Sequence, residues 1–202
     1  MEAPVSTPDS DEQRPAAPGR LELVCEFLNT ADLLTGDDEL ADLDALRTWL
    51  REHDLIGARE QLAAGDLERA LAVREALRTL LEARDRDGAI DAAGVRALNA
   101  LAPAALLRVT FAGDGRPALE PVAGGLDRAL AELFAAVQVA AADGSWARLK
   151  VCADDRCLWA FYDSSKNRSR SWCKMASCGN RAKARQYRER HRSSTKERRG
   201  GR

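Results

Sequence analysis

The chain is short of aromatic residues, has only two histidines, and contains no long apolar run. Aromatic residues make up 5% of its 202 residues, so a core must be filled mainly by Leu, Ala and Val. No stretch approaches the roughly 20 apolar residues that a membrane-spanning helix needs, so we expect no membrane partner. Residues 1–20 lack the apolar core of a signal peptide, and we expect a cytoplasmic protein with reduced thiols.

The scarcity of histidine argues against catalysis. His53 lies at the end of an amphipathic segment, and His191 lies in the basic C-terminal part. The chain therefore offers few histidines that could serve as a general acid or base. The glycines at 113, 115, 124 and 125 suit turns better than a phosphate-binding loop. We expect no enzymatic activity.

Charge is divided sharply along the chain, although the net charge is only −1. From Trp146 to Arg202 there are 17 Lys and Arg against 5 Asp and Glu, a formal charge of +12, and the rest of the chain carries −13. Such an asymmetry indicates two parts with different roles, and nucleic acid is the usual partner of a basic part. The alternative is a basic tail that folds back on an acidic body.

Residues 21–143 are predicted to form a mainly α-helical domain with one β-hairpin, after a disordered, Pro-rich segment at 1–20. Apolar spacing predicts helices over 21–34, 43–53, 67–85, 91–102 and 126–142. Asp42 and Asp66 are predicted N-caps. In the third helix, Arg74, Glu75, Arg78 and Glu82 are expected on the wetter side. Alternation over 106–111, followed by AGDGRP, predicts the hairpin, with Pro121 on an edge strand. The break at Asp143-Gly144-Ser145 predicts a domain boundary.

Four of the five cysteines form the pattern C-x4-C-x15-C-x4-C within 27 residues, at Cys152, Cys157, Cys173 and Cys178. Two pairs at such spacing are typical of a Cys₄ zinc site. Because four thiolates fill a tetrahedral shell, we expect one structural Zn²⁺ and no open catalytic position. Two disulfides or four free thiols are the alternatives. Cys25, alone among apolar residues, is expected to be a buried small side chain.

The zinc-finger module is predicted to span 146–192 and to combine short strands with a C-terminal basic helix, followed by a disordered basic tail at 193–202. Gly179 is expected to take a positive φ, and Asn180 is expected to cap the helix. Its arginines share one face, whereas Ala184, Tyr187 and His191 are expected to pack on the metal knuckle. With the cationic loop before Cys173, the candidate nucleic-acid contacts are Lys166, Arg168, Arg170, Arg181, Lys183, Arg185, Arg188 and Arg192. The alternative is a solvated charged face.

At this point the residues resemble a known family. Cys178-Gly179-Asn180-Arg181 is the string that names the CGNR zinc finger, and the pattern around it, from Cys152 to Lys183, is similar to that family. The upstream part resembles the ABATE domain, with Leu28-Asn29-Thr30 similar to its early V-N-T element. The resemblance implies a bacterial stress-induced transcription regulator that binds zinc through the four cysteines and binds DNA.

Several partners remain open from the residues alone. We expect double-stranded DNA as the partner of the basic module, with an RNA-binding or protein-interaction module as the alternative. Exposed rings at Trp159, Phe161 or Tyr187 would favour single-stranded RNA, because unstacked bases pack on aromatic side chains. A small-molecule effector of the N-terminal domain and a homodimer are further expectations, whereas the target sequence is not encoded in any recognisable pattern.

Overall fold

Helices make up most of the N-terminal part, and short antiparallel strand pairs connect them. A computed structural model describes residues 15–88, 92–185, 187–188 and 191. In this part of the chain the α-helices are α1 Leu21–Asn29, α2 Leu43–Glu52, α3 Asp66–Asp87, α4 Ala92–Leu101 and α5 Gly125–Asp143. The strands are β1 Ala31–Asp32, β2 Asp37–Asp38, β3 Leu107–Phe111, β4 Pro117–Pro121, β5 Leu149–Val151 and β6 Ala160–Tyr162. Each strand pairs with its neighbour in sequence to form a two-stranded ladder. The expected fold class is confirmed.

Helix ends follow the local chemistry that the sequence indicates. The Asp42 carboxylate accepts hydrogen bonds from the backbone N–H groups of Asp44 and Ala45, which confirms it as the N-cap of α2. Asp66 lies inside the first turn of α3 rather than before it, and its carboxylate accepts from the Ala63 N–H. Gly144 ends α5 in the left-handed region at φ 80°, which glycine adopts without the penalty of a Cβ.

The first helix is shorter than its apolar pattern predicted. It ends at Asn29, and the chain then forms the β1–β2 ladder, in which Ala31 pairs with Asp38. Leu33 and Leu34, which the pattern assigned to the helix, are nearly half exposed. The apolar spacing therefore continues past the helix into a surface turn.

The prediction of a wetter side on α3 is wrong for its two arginines, which are 4% and 3% exposed at Arg74 and Arg78. Arg74 binds both carboxylate oxygens of Asp38 at 2.7 and 2.8 Å and also donates to the Thr30 hydroxyl. Arg78 donates to the Leu28 carbonyl and to Glu75. Burial is tolerated because charged and carbonyl partners, most of them distant in sequence, take up most of the guanidinium N–H groups.

One hydrophobic core extends from the helices into the C-terminal part. Leu149, Val151 and Ala160 of β5 and β6 belong to the same buried cluster as the apolar faces of α1, α3 and α5. Asn29 of α1 strengthens this contact, since its side-chain amide donates to the Ala160 carbonyl at 3.0 Å and accepts from the Ala160 N–H at 2.7 Å. The division into domains at 143–146 stays a prediction.

The predicted hairpin is present as β3 and β4, with Leu107 opposite Pro121 and Phe111 opposite Pro117. Its strands are mostly exposed, and it contacts α5. Within the described ranges no helix is long and apolar enough to cross a membrane.

Candidate metal centre and basic surface

The four cysteines of the C-x4-C pairs converge on one point beneath the β5–β6 hairpin. Their sulfur atoms all lie within 4.8 Å of one another, and all four side chains are buried. Sγ of Cys173 lies 3.7 Å from Sγ of Cys157 and 3.7 Å from Sγ of Cys178. Phe161 is buried among them, and Trp159 and Trp172 cover the cluster. Cys25 is buried elsewhere, in the core of the helices.

Each pair of cysteines is held by its own turn. The first pair lies in the connection between β5 and β6, where the Cys157 N–H donates to the Asp154 carbonyl at 2.7 Å and the Cys152 N–H donates to the Trp159 carbonyl. The second pair opens the C-terminal helix, because Cys178 lies in a wide π-helical turn, Met175–Gly179. The backbone of these two turns therefore directs all four sulfur atoms toward one point.

The donor set fits one Zn²⁺ ion. Zinc–thiolate bonds of about 2.3 Å in a tetrahedron place neighbouring sulfur atoms about 3.8 Å apart, close to the two separations above. Without metal, hydrogen bonds to Cys152 and Cys173, burial and repulsion between thiolates raise the pKa of Cys157. The hydrogen bond to Cys152, burial and repulsion from the Cys152 and Cys178 thiolates raise the pKa of Cys173 to about 12, although the contact with Cys157 lowers it. A divalent ion that replaces these protons relieves the repulsion. Because four buried thiolates fill a tetrahedral shell, and the part of the chain that the structure describes adds no further donor to this cluster, the site is structural.

The turn after Cys178 differs from its prediction in two respects. Gly179 does not take a positive φ, and the absence of a side chain matters for another reason: a Cβ at this position would overlap the sulfur of Met175. Asn180 is not an N-cap, since it is already helical and its side chain donates back to the Ala176 carbonyl at 3.0 Å. The helix therefore continues directly from the π turn through residues 180–185.

The first two arginines of this helix point back into the module. Nε of Arg181 donates to Oδ2 of Asp154 at 3.0 Å, and its Nη2 lies 2.9 Å from Sγ of Cys178. Arg185 donates to Oδ1 of Asp154 at 3.2 Å. Asp154 itself is completely buried. Burial raises the pKa of Asp154, but the hydrogen bonds from Arg181, the Arg156 backbone and Arg185 outweigh it and hold the pKa below its usual range.

A second buried carboxylate, Asp163, organises the loop between the cysteine pairs. It accepts hydrogen bonds from the Lys150 ammonium at 2.8 Å and from the N–H groups of Ser165 and Arg170 at 3.0 Å. Burial raises the pKa of Asp163, but the contacts with Lys150 and Ser165 outweigh burial and lower the pKa to about 2. The Arg170 guanidinium lies 5.3 Å from the Phe161 ring centroid and donates to the Trp172 and Cys173 carbonyls.

Four of the predicted contact residues present their side chains to solvent: Lys166, Arg168, Lys183 and Arg188. Arg170, Arg181 and Arg185 make the internal contacts described above, and Arg192 lies outside the described residues. The expectation that Ala184, Tyr187 and His191 pack on the knuckle is wrong, because all three are exposed. Tyr187 is 65% exposed, and its ring meets the His191 ring edge-on at 4.1 Å between centroids.

Sequence reasoning missed Asp154 and Asp163, which it counted only as negative charges. Both are fully buried and both hold basic side chains. A usable signal was present: an acidic residue inside a strongly basic module, two positions after a metal-ligand candidate, is a natural partner for arginine. His53, in contrast, caps α2 as expected, with Nδ1 2.7 Å from the Trp49 carbonyl.

Comparison with known proteins accounts for most of the chain. Residues 148–191 match the family described as "CGNR zinc finger". Residues 21–145, more than half of the chain, match ABATE, the family described as "Putative stress-induced transcription regulator". A comparison with curated protein sequences returned no match. The predicted resemblance is thereby confirmed, and the chain belongs to the ABATE family, with a CGNR zinc finger that holds one structural zinc ion after the ABATE region.

Proposed function

We propose that this chain is a DNA-binding transcription regulator of the bacterial cytoplasm whose zinc finger contacts duplex DNA. The observation that carries the proposal is the set of exposed basic side chains that flank the second cysteine pair in sequence, at Lys166 and Arg168 in the loop before it and at Lys183 and Arg188 on the helix after it. Lysine and arginine on a folded scaffold supply the phosphate contacts that dominate affinity for DNA. The family description supports a regulatory rather than a catalytic role.

The helix binds the protein through the arginines of its first turns and leaves other basic side chains exposed to a ligand. At about 100° per residue, Arg181 and Arg185 lie within about 40° of each other around the axis, on the side that faces Asp154. Lys183 and Tyr187 lie on the other side. Arg188 lies within about 20° of Arg181 around the axis, but about two turns further along the helix, where its side chain is exposed. We therefore assign Arg181 and Arg185 to holding the helix on the metal site, and Lys183 and Arg188 to contacting phosphate.

The loop supplies the second half of the proposed interface. Asp163 fixes its two ends, because it accepts from Ser165 and Arg170, while Lys166 and Arg168 stand exposed between them. The Ser165 hydroxyl also accepts from the Ser169 N–H at 3.2 Å. A loop held at both ends presents its charges with little loss of conformational entropy on binding.

The proposal is tested by measuring binding of the zinc-loaded full chain to genomic DNA fragments across a salt series. Affinity should fall with a log–log slope of about −0.9 per phosphate contacted. We expect two double variants to make that slope less steep, each by the amount that about two phosphate contacts contribute. These variants are Lys183→Ala/Arg188→Ala and Lys166→Ala/Arg168→Ala. The matched control, Arg108→Ala/Arg116→Ala, removes two exposed charges from the distant β3–β4 hairpin and should leave the slope unchanged.

Two outcomes contradict the proposal. One is the absence of DNA binding at low salt by protein shown to contain zinc. The other is an equal loss of affinity in the hairpin control and in the two finger variants, which would mean that DNA senses only the overall charge.

The exposed Tyr187 ring favours binding of single-stranded RNA as the second candidate function. A base can stack on an exposed aromatic side chain, and such stacking contributes about 1–3 kcal/mol per base. Competition between duplex DNA and a single-stranded RNA of equal length separates the two functions. A preference for RNA that Tyr187→Ala abolishes would favour RNA, whereas an unaffected preference for duplex DNA would favour the regulator. The homodimer and the effector also stay predictions.

A further inference from the structure

A cavity of about 440 Å³ lies where the helices meet the zinc finger. Cys25 and Asn29 of α1 and Trp49 of α2 line it on one side, and Trp159, Ala160 and Tyr162 line it on the other. Its volume falls within the range of about 300–1,000 Å³ that is common for small-molecule sites. Because both parts of the chain form its walls, a ligand bound here contacts both.

The described side chains that line this cavity are rich in carboxylates. Glu22, Glu26, Glu39 and Glu52 line it together with His53, and among the residues that the structure describes no lysine or arginine belongs to this lining. Glu22 accepts a hydrogen bond from the Ala17 N–H, and Glu26 lies 3.6 Å from Nε2 of His53. Glu26, Glu39 and Glu52 are exposed. The mouth of the cavity is therefore acidic and open to an incoming cation.

The walls are aromatic. Trp49, Trp159, Phe161 and Tyr162 line the cavity, and they include two of the four tryptophans of a chain that is poor in aromatic residues. Trp159 and Tyr162 are only partly buried. Aromatic faces attract guanidinium and alkylammonium groups, whose charge is diffuse and weakly hydrated, more readily than small hydrated ions.

A divalent metal ion fits the cavity less well than an organic cation does. Among the described residues, donor atoms of Cys, His, Asp or Glu converge to metal-binding distance at the cysteine cluster, and the glutamates of the cavity do not form such a group. The four glutamates are instead spread around an opening, an arrangement that suits a longer molecule with separated charges.

We propose that this cavity binds an organic cation that carries guanidinium or ammonium groups on a short carbon chain. The charged groups pair with the glutamate rim, and the carbon chain and one cationic group pack against Trp159 and Tyr162. In the regulator proposed above the ligand would be the effector, and only this last step rests on that function.

The position of the cavity gives such a ligand access to the metal module. Asn29 and Ala160, which line it, are the two residues joined by the paired hydrogen bonds between α1 and β6. Trp159, on the same wall, covers the cysteine cluster, and its carbonyl accepts from the Cys152 N–H. A ligand in the cavity therefore touches the contact through which the helices hold the finger.

The proposal is tested by titration calorimetry of the zinc-loaded full chain with agmatine, which carries one guanidinium and one ammonium group. We expect saturable one-to-one binding, weakened about three- to tenfold in Glu39→Gln/Glu52→Gln, because each exposed ion pair contributes only modestly to affinity. Glu68→Gln/Glu120→Gln removes two charges away from the cavity and should leave binding unchanged. Equimolar Mg²⁺ should not displace agmatine.

Absence of saturable binding at millimolar agmatine overturns the proposal. Equal weakening in both double variants, or full displacement by Mg²⁺, overturns it as well, since either would reveal a generally acidic surface. The titration contains no DNA, so failure of the cavity and failure of DNA binding are distinguished: each is measured in an experiment without the other ligand.

Discussion

At the scale of single residues, Asp154 connects the metal site to the helix that follows it. It is fully buried, two positions after Cys152, and it accepts hydrogen bonds from both Arg181 and Arg185. Arg181 also reaches the Cys178 sulfur. The arginine of the C-G-N-R string thus neutralises part of the thiolate charge and pairs with the carboxylate beside the first knuckle.

Arg181→Ala should weaken zinc binding about 10- to 100-fold, the usual effect of removing a group that hydrogen-bonds a metal ligand. The variant leaves a buried carboxylate with fewer partners and leaves the Cys178 thiolate without its nearest cation. Competition with a chromogenic zinc chelator measures the change. Arg188→Ala, which removes an exposed arginine about two turns further along the same helix, is the control and should hold zinc as the unmodified protein does. Equal zinc affinity in both variants would contradict the role assigned to Arg181.

The cysteines could be predicted from the sequence, whereas their partners could not. Zinc ligands come in close pairs because each turn supplies two sulfur atoms, so the pattern is local and visible. Asp154 and Arg181 are 27 residues apart in sequence and meet only in the folded module. The same reason explains the misplaced Arg74, whose partner Asp38 is 36 residues away. A charged residue is predicted to be solvent-exposed when its ion-pair partner lies far away in the sequence, because the pattern around it does not show the partner.

At the scale of structural elements, the loop from Asp163 to Arg170 owes its shape to one carboxylate. Asp163 binds Lys150 of β5 and the N–H groups near both ends of the loop. Lys150 also donates to the carbonyls of Arg168 and Arg170. The position of Lys166 and Arg168 therefore depends on this buried ion pair.

Asp163→Asn should lower the free energy of unfolding by about 2–3 kcal/mol at pH 7, because it removes a charged acceptor of three hydrogen bonds from a buried site. The folded-state pKa of about 2 lies below the usual 3.8, so the carboxylate stabilises the fold above pH 4 and loses this effect as the pH falls toward 2. Urea unfolding with excess zinc should show a constant difference between the two proteins from pH 8 to 5. A difference that shrinks already between pH 7 and 6 would contradict the assignment.

Helices with a clear apolar face, such as α2 and α5, could be predicted from the sequence nearly to their ends. The first helix could not, because Leu33 and Leu34 continue its apolar spacing into an exposed turn. The C-terminal helix was predicted with the wrong face inward. An arginine face was taken as the outer one, yet the buried Asp154 draws Arg181 and Arg185 inward and leaves Tyr187 exposed. Periodicity identifies faces, and tertiary charge partners decide which face is buried.

At the scale of the whole molecule, the zinc finger and the helices share a core. Leu149 and Val151 of β5 and Ala160 of β6 are buried with the helices. Two further polar contacts reinforce the junction: the Arg84 guanidinium donates to the Leu149 carbonyl, and the Asp85 carboxylate accepts from the Val151 N–H. The β5–β6 hairpin, whose connection carries the zinc ligands Cys152 and Cys157, therefore also packs against α1 and α3 and stabilises them.

Zinc removal should consequently destabilise the helices as well as the finger. Because metal binding to the folded state adds to folding free energy, chelation should lower the thermal midpoint of helix unfolding.

Asn29→Ala removes both hydrogen bonds to Ala160, which we expect to cost about 1–3 kcal/mol, or about 3–10 °C in a chain of this size. It should also reduce the shift that zinc removal causes, since the two parts are then less strongly coupled. Circular dichroism at 222 nm with and without chelator measures both effects, and Asn99→Ala, on an exposed position of α4, is the control. A helix midpoint that ignores zinc, or an undiminished zinc effect in Asn29→Ala, would show that the shared core does not couple the two parts.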